Sequence, residues 1–178
     1  ALLGMDGFVG ISMLADRASG RCIITSSFED LAALRRSASE MRGIRARIAD
    51  VLRSPQALQE WQIALLHRLR GAPDGARTRV TWCRTEPARL DATLEAYAES
   101  IVPRLSDQPG FCSVSVLADP VEGRSATAVT FTDRAALEAA MTQLTPLMAE
   151  LAGQRASEVT DEADFDLVLA SLRVPETV

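Results

Sequence analysis

The chain repeats itself. Displaced by 103 residues, Gly7-Phe8 falls on Gly110-Phe111, Leu14-Ala15-Asp16 on Leu117-Ala118-Asp119, and Gly20-Arg21 on Gly123-Arg124. Ser12 falls on Ser115, Phe28 on Phe131, Asp30 on Asp133, and Ala32-Ala33-Leu34 on Ala135-Ala136-Leu137. Without a gap, 13 of the 28 positions from 7 to 34 are identical. Apolar character persists where identity fades, as at Met41/Leu144, Ile44/Leu147 and Ile48/Leu151. Self-similarity at a fixed period means that one structural unit is used twice, and it has to be recognised before any element is assigned.

The second copy is the complete one. Residues 78–85 are rich in β-branched and aromatic residues and predict a strand. Thr85 and Pro87 open a helix over 87–106, along which Leu90, Leu94, Tyr97, Ile101 and Leu105 recur at helical spacing. Asp107-Gln108-Pro109-Gly110 is a turn. Residues 111–118 alternate as a strand, 119–123 form a hairpin loop, and 124–131 return. Asp133 is placed to cap a helix carrying Leu137, Met141, Leu144, Met148 and Leu151 on one stripe. A last strand is expected over 163–171. The order β-α-β-β-α-β is the ferredoxin-like split βαβ plan, an α+β fold.

The first copy shows only β-β-α-β: strands at 8–14 and 21–28, a helix near 30–52, and a strand near 60–67 with Trp61 at the place of Phe165. Its opening strand and helix are missing. The repeat register would put them in about 27 residues ahead of Ala1, so a trimmed chain is expected; the rival reading is a strand and helix supplied by another chain. The expected domains are a partial first repeat over 1–76 and a complete second repeat over 77–178. A four-stranded sheet with both helices on one face must cover its other face. Two copies can cover each other as a pseudo-symmetric pair, a pseudo-dimeric α/β barrel within one chain, with homo-oligomerisation left open.

Composition removes several function classes. The net charge is −5 and the pI near 5.0, which gives no electrostatic reason to expect nucleic acid or an anionic membrane as partner. No apolar stretch approaches the roughly 20 residues of a membrane span. All 19 basic residues are Arg, so Schiff-base chemistry and a P-loop lysine are excluded; Asn is absent as well. Cys22, Cys83 and Cys112 are far apart and read as buried thiols of a reducing cytoplasm. One His and no cysteine cluster argue against zinc, and no metal or cofactor is expected. The acidic run Glu158, Asp161, Glu162, Asp164 and Asp166 lacks EF-hand spacing and reads as a solvated loop leading into the last strand.

Ile101-Val102-Pro103-Arg104-Leu105 and Gln108-Pro109-Gly110-Phe111, echoed by Asp6-Gly7-Phe8, resemble the first-helix end and second-strand entry of the antibiotic biosynthesis monooxygenase family, in the dimeric α/β-barrel superfamily. The resemblance implies ferredoxin-like halves packed sheet to sheet, with a cavity between sheet and helices. It implies cofactor-free oxygenation of phenolic or quinol compounds, or haem degradation. The missing Asn and the misplaced His67 speak against the haem-degrading branch.

Five residues are candidates for a ligand pocket, each with a plainer structural alternative. His67 could act as a base near neutral pH, or sit as a boundary residue at a strand end. Trp82 and Tyr97, on a central strand and its helix, could line an aromatic cavity, or simply pack the core. Ser113, with Ser115 on the same strand face, leaves room for a ligand or for close packing. Arg84 could pair with an acidic ligand group or reach solvent. Catalytic residues are not identifiable by motif. Two functions are expected: a cofactor-independent monooxygenase or isomerase acting on a small hydrophobic or aromatic compound, or a non-catalytic ligand-binding or stress-associated protein of the same fold.

Overall fold

The structure, a computed structural model, describes residues 5–53 and 57–172. The elements are β1 (Phe8–Asp16), β2 (Arg21–Phe28), α1 (Leu31–Leu52), β3 (Gln62–Arg68), β4 (Arg77–Arg84), α2 (Pro87–Ser100), α3 (Val102–Ser106), β5 (Phe111–Asp119), β6 (Arg124–Phe131), α4 (Arg134–Arg155) and β7 (Glu158–Leu172). Asp30 and Asp133 cap α1 and α4, accepting bonds from the backbone N–H of Ala33 and Ala136. The helix expected over 87–106 is two helices, interrupted at Ile101. Pro103 has no N–H to return to the carbonyl four residues back, so the ladder breaks and restarts one residue earlier.

The acidic run is not a loop: β7 already begins at Glu158. Arginines on β4, next to it, and on β2, one strand further, make the difference. Asp166 pairs with Arg77, Asp164 accepts two bonds from Arg79 at 2.7 and 2.9 Å, and Asp161 meets Arg21 at 2.6 Å. Opposite charges across a ladder hold a strand that composition alone would leave in solvent.

All seven strands form one curled antiparallel sheet in the order β2-β1-β7-β4-β6-β5-β3. The run β7-β4-β6-β5, with its helices, is a ferredoxin-like βαββαβ unit. The bounds of β1, β2 and α1 recur at an offset of 103 in β5, β6 and α4. β1 pairs with β7 and β3 with β5, and the two ladders are laid out alike. Gly10 opposes Leu172 as Ser113 opposes Arg68; Leu14 opposes Leu167 as Leu117 opposes Ile63. Each ladder has its irregularity at the same step, leaving Val168 unpaired in one and Ala64 in the other.

The alternation of side chains along each strand separates two cores. On the helix face, Ile101, Leu105, Phe111, Val114, Phe131, Leu137 and Leu144 close a large cluster between α2–α4 and the sheet. On the opposite face, Leu14, Val80 and Phe165 pack with Ile23, Trp82 and Ala128. Under α1, the buried members of the cluster among the described residues are Met5, Phe8 and Met41.

Candidate functional site

The two hairpins β1–β2 and β5–β6 turn on glycines that must adopt positive φ, Gly20 at 75° and Gly123 at 64°. Each is followed by an arginine that opens the returning strand: Arg21 and Arg124. Both guanidinium groups reach over aromatic rings. Arg21 lies 5.1 Å from the ring centroid of Trp82 and 5.7 Å from that of Phe165, and Arg124 lies 5.3 Å from that of Trp61. Such contacts contribute about 0.5–1 kcal/mol at exposed sites and more when desolvated.

Arg21, Arg124, Trp61 and Trp82 line one cleft of about 380 Å³, shared with Arg84, Thr160 and Asp161. Its electrostatics are set by three arginines and few acids. Asp161 is held by Arg21, and Asp119 accepts from Arg124 at 2.6 Å. That bond, with the backbone N–H of Glu122, keeps the Asp119 carboxyl below its ordinary range. Arg124 Nε is buried and has no partner. A cleft with indole walls and guanidinium groups is suited to a planar ligand carrying an acidic or phenolic oxygen.

Of the five candidates, the structure brings Trp82 and Arg84 to this cleft and places the other three elsewhere. Tyr97 lies on the far side of the sheet, in the helix-face core rather than beside Trp82. Its hydroxyl is buried without a partner; burial first, and the nearby Cys83 second, push its pKa well above the usual phenol range. His67 stacks on Phe111 with centroids 6.1 Å apart, and its Nε2 is 3.0 Å from Ser106 Oγ. Ser106 donates its one proton to the Val102 carbonyl at 2.9 Å, so Nε2 of His67 carries a hydrogen and donates. The imidazole therefore ties β3 to α3. Ser113 opposes Arg68 and Thr130 on β5 and does not line the cleft.

Sequence reasoning missed Arg21, Arg124, Trp61 and Asp161. A signal for the arginines was present: Gly20-Arg21 and Gly123-Arg124 are matched positions of the repeat. Identity between copies reads as structural, yet here both arginines point into the shared cleft. Among the described residues, no group of three or more His, Cys, Asp and Glu could hold a metal ion. No helix among them is long and apolar enough to cross a membrane, which leaves β-barrels unaddressed.

No protein-family model matches the chain. Among solved structures, an anthrone oxidase-like protein superposes with a TM-score of 0.65 at 16% identity, over 97% of this chain and 82% of that one. A monooxygenase-like protein from Listeria innocua gives 0.56 at 12% identity, over 93% and 81%. A Listeria monocytogenes ferredoxin-fold protein related to antibiotic biosynthesis monooxygenases gives 0.55 at 10% identity, over 89% and 80%. At such identities the shared property is the fold, a ferredoxin-like one. Two Mycobacterium tuberculosis proteins, the uncharacterized Rv2557 and Rv2558, are each 40% identical to this chain over its whole length, which covers 80% and 76% of theirs. The chain belongs to the protein family of Rv2557 and Rv2558.

Proposed function

We propose that this protein is a cofactor-independent monooxygenase-like protein that binds a planar phenolic or acidic aromatic compound in the cleft between its two repeats. The observation that carries the reading is the pair Arg21 and Arg124, one repeat position used twice, each over an aromatic ring of the same cleft. Guanidinium groups favour the anionic form of a phenol, and a phenolate surrenders an electron to dioxygen more readily than its neutral parent. In the oxidation of an activated ring CH₂, dioxygen is the oxidant. One oxygen atom becomes the new carbonyl oxygen, and the other leaves as water with the two hydrogens lost from carbon.

The architecture that supports this is a pseudo-symmetric pair, repeat one over 1–76 and repeat two over 77–178, joined by the matching β1–β7 and β3–β5 ladders. The pair does internally what a homodimer does with two chains. The acidic composition and unpaired cysteines fit a cytoplasmic protein with neither nucleic acid nor membrane as partner.

A second reading, a binding protein without turnover, is favoured by the engagement of Asp161 with Arg21, which occupies the carboxylate best placed to take a proton in the cleft. Anthrone, suggested by the name of one structural neighbour, separates the two. In an oxygen electrode, with the uncatalysed rate subtracted, the first reading predicts one dioxygen consumed per anthraquinone formed. It also predicts a rate about 10- to 100-fold lower in Arg124→Ala, the value of one charged contact. Quenching of tryptophan fluorescence by anthrone without dioxygen uptake selects the second reading. Neither quenching nor uptake overturns both for this ligand class.

A further inference from the structure

The charges of this chain are segregated. Helix α1 holds five arginines and two acids, Glu40 and Asp50. Its net charge of +3 leaves −8 for the rest of a chain whose total is −5. On its inner side Ala33, Ser37 and Met41 are buried. On its outer side, residues four apart form ridges. Arg35-Ser39-Gly43-Arg47 is one and Ala38-Arg42-Ala46-Asp50 the next, and every member of both is exposed. Between the arginines the side chains are small, and a Cβ added at Gly43 would meet nothing within 4 Å. The outer side is thus a shallow groove floored by Ser39, Gly43 and Ala46 and walled by Arg35, Arg42 and Arg47. A glycine inside a helix lowers its stability, so this open floor runs against local preference.

Helix α2 bears the complement. Asp91, Glu95 and Glu99 form one exposed ridge at every fourth residue, about 12 Å long at the helical rise. Like charges at that spacing repel. The one arginine of α2, Arg89, is turned to Glu86 at 3.2 Å. Local rules broken without local compensation mark surfaces that serve something beyond the fold. α1 packs on β2, at one end of the strand order, and α2 packs on α3 and α4. The two charged faces therefore point to different neighbours of the molecule.

We propose that α1 and α2 are the two sides of a self-association interface, in which the Asp91-Glu95-Glu99 ridge of one copy lies in the Arg35-Arg42-Arg47 groove of a second copy. A ridge of every fourth residue entering such a groove is common helix packing. The small floor admits the facing helix, and three guanidinium groups meet three carboxylates. The contact joins unlike faces and is heterologous. An anionic membrane fits less well, because the apolar side of α1 is already against the sheet and the −8 carried elsewhere is repelled by anionic lipid.

Sedimentation equilibrium tests this at chain concentrations up to about 0.5 mM, the range of weak complexes. In about 50 mM NaCl the parent chain should associate reversibly, and its dissociation constant should rise tenfold or more in about 500 mM, where charges are screened. Arg35→Glu/Arg42→Glu/Arg47→Glu has two acidic faces and Asp91→Arg/Glu95→Arg/Glu99→Arg two basic ones, so each alone should be monomeric. Their equimolar mixture should associate again. The six positions are exposed, so both variants should keep the far-ultraviolet circular dichroism of the parent. If either does not, the neutral variants Arg35→Gln/Arg42→Gln/Arg47→Gln and Asp91→Asn/Glu95→Gln/Glu99→Gln take their place, and each should weaken association tenfold or more. Gly43→Leu, which fills the floor, should do the same. A parent chain that is monomeric in low salt, a mixture of folded variants that stays monomeric, or a monomeric parent chain that binds phosphatidylglycerol vesicles instead overturns the proposal.

Discussion

Arg21 and Arg124 show how one residue position can serve both structure and recognition. Each stays beside its own hairpin glycine, and each lays its charge over a ring from a distant part of the chain: Trp82 and Phe165 for Arg21, Trp61 for Arg124. Tyr97 is the opposite case, a polar atom in a core with nothing to bond. Removing an unpartnered buried hydroxyl releases its desolvation cost, so Tyr97→Phe should leave stability unchanged or raise it by up to about 1 kcal/mol in urea unfolding. Because the folded-state pKa is raised, the folded chain keeps a proton that the unfolded chain loses above about pH 10. Stability should therefore fall as pH rises beyond that value, and Tyr97→Phe should flatten the fall. Tyr97 is the only tyrosine, so its phenolate absorbance reports this directly. Alkaline titration at the ordinary phenol value in the folded state would contradict the burial. The positions of Trp82 on a strand and Tyr97 on a helix were readable from sequence, but their separation was not, because which face of β4 the helix covers depends on the tertiary packing.

At the scale of elements, the repeat told most of what mattered. β1, β2 and α1 map onto β5, β6 and α4 because caps, turn glycines and core positions, the residues that define element ends, are what the two copies share. The start of β7 was hidden because Glu158, Asp161, Glu162 and Asp164 look like solvent until the arginines of β4 and β2 stand beside them. Cross-strand charge pairs cannot be seen in one segment at a time. The Arg79–Asp164 pair is two-pronged and part-buried, so a double-mutant cycle with Arg79→Met and Asp164→Asn should give a coupling near 1 kcal/mol. Zero coupling would mean that β7 is held without its charge ladder. On the other face, Phe165 is fully buried, and Phe165→Ala should cost about 3–5 kcal/mol in urea unfolding.

Across the whole molecule, the β1–β7 and β3–β5 ladders make residues 8–68 and 77–172 interdependent. In a Trp61→Phe variant the fluorescence reports Trp82, and in a Trp82→Phe variant it reports Trp61. In each, the fluorescence midpoint in urea should coincide with that from far-ultraviolet circular dichroism. Separate midpoints would make the repeats independent domains. The cleft follows from the same interleaving, since Trp61 comes from one repeat and Trp82 from the other. Both tryptophans of the protein therefore watch a single site, and their two indole N–H resonances can be followed by ¹H–¹⁵N NMR during titration with 1-naphthoate, a planar aromatic anion. Both resonances should move together and saturate with one dissociation constant in the parent chain, and Arg124→Ala should weaken that constant about tenfold. Movement of only one indole resonance, or of neither, would contradict a shared cleft that binds acidic aromatic compounds.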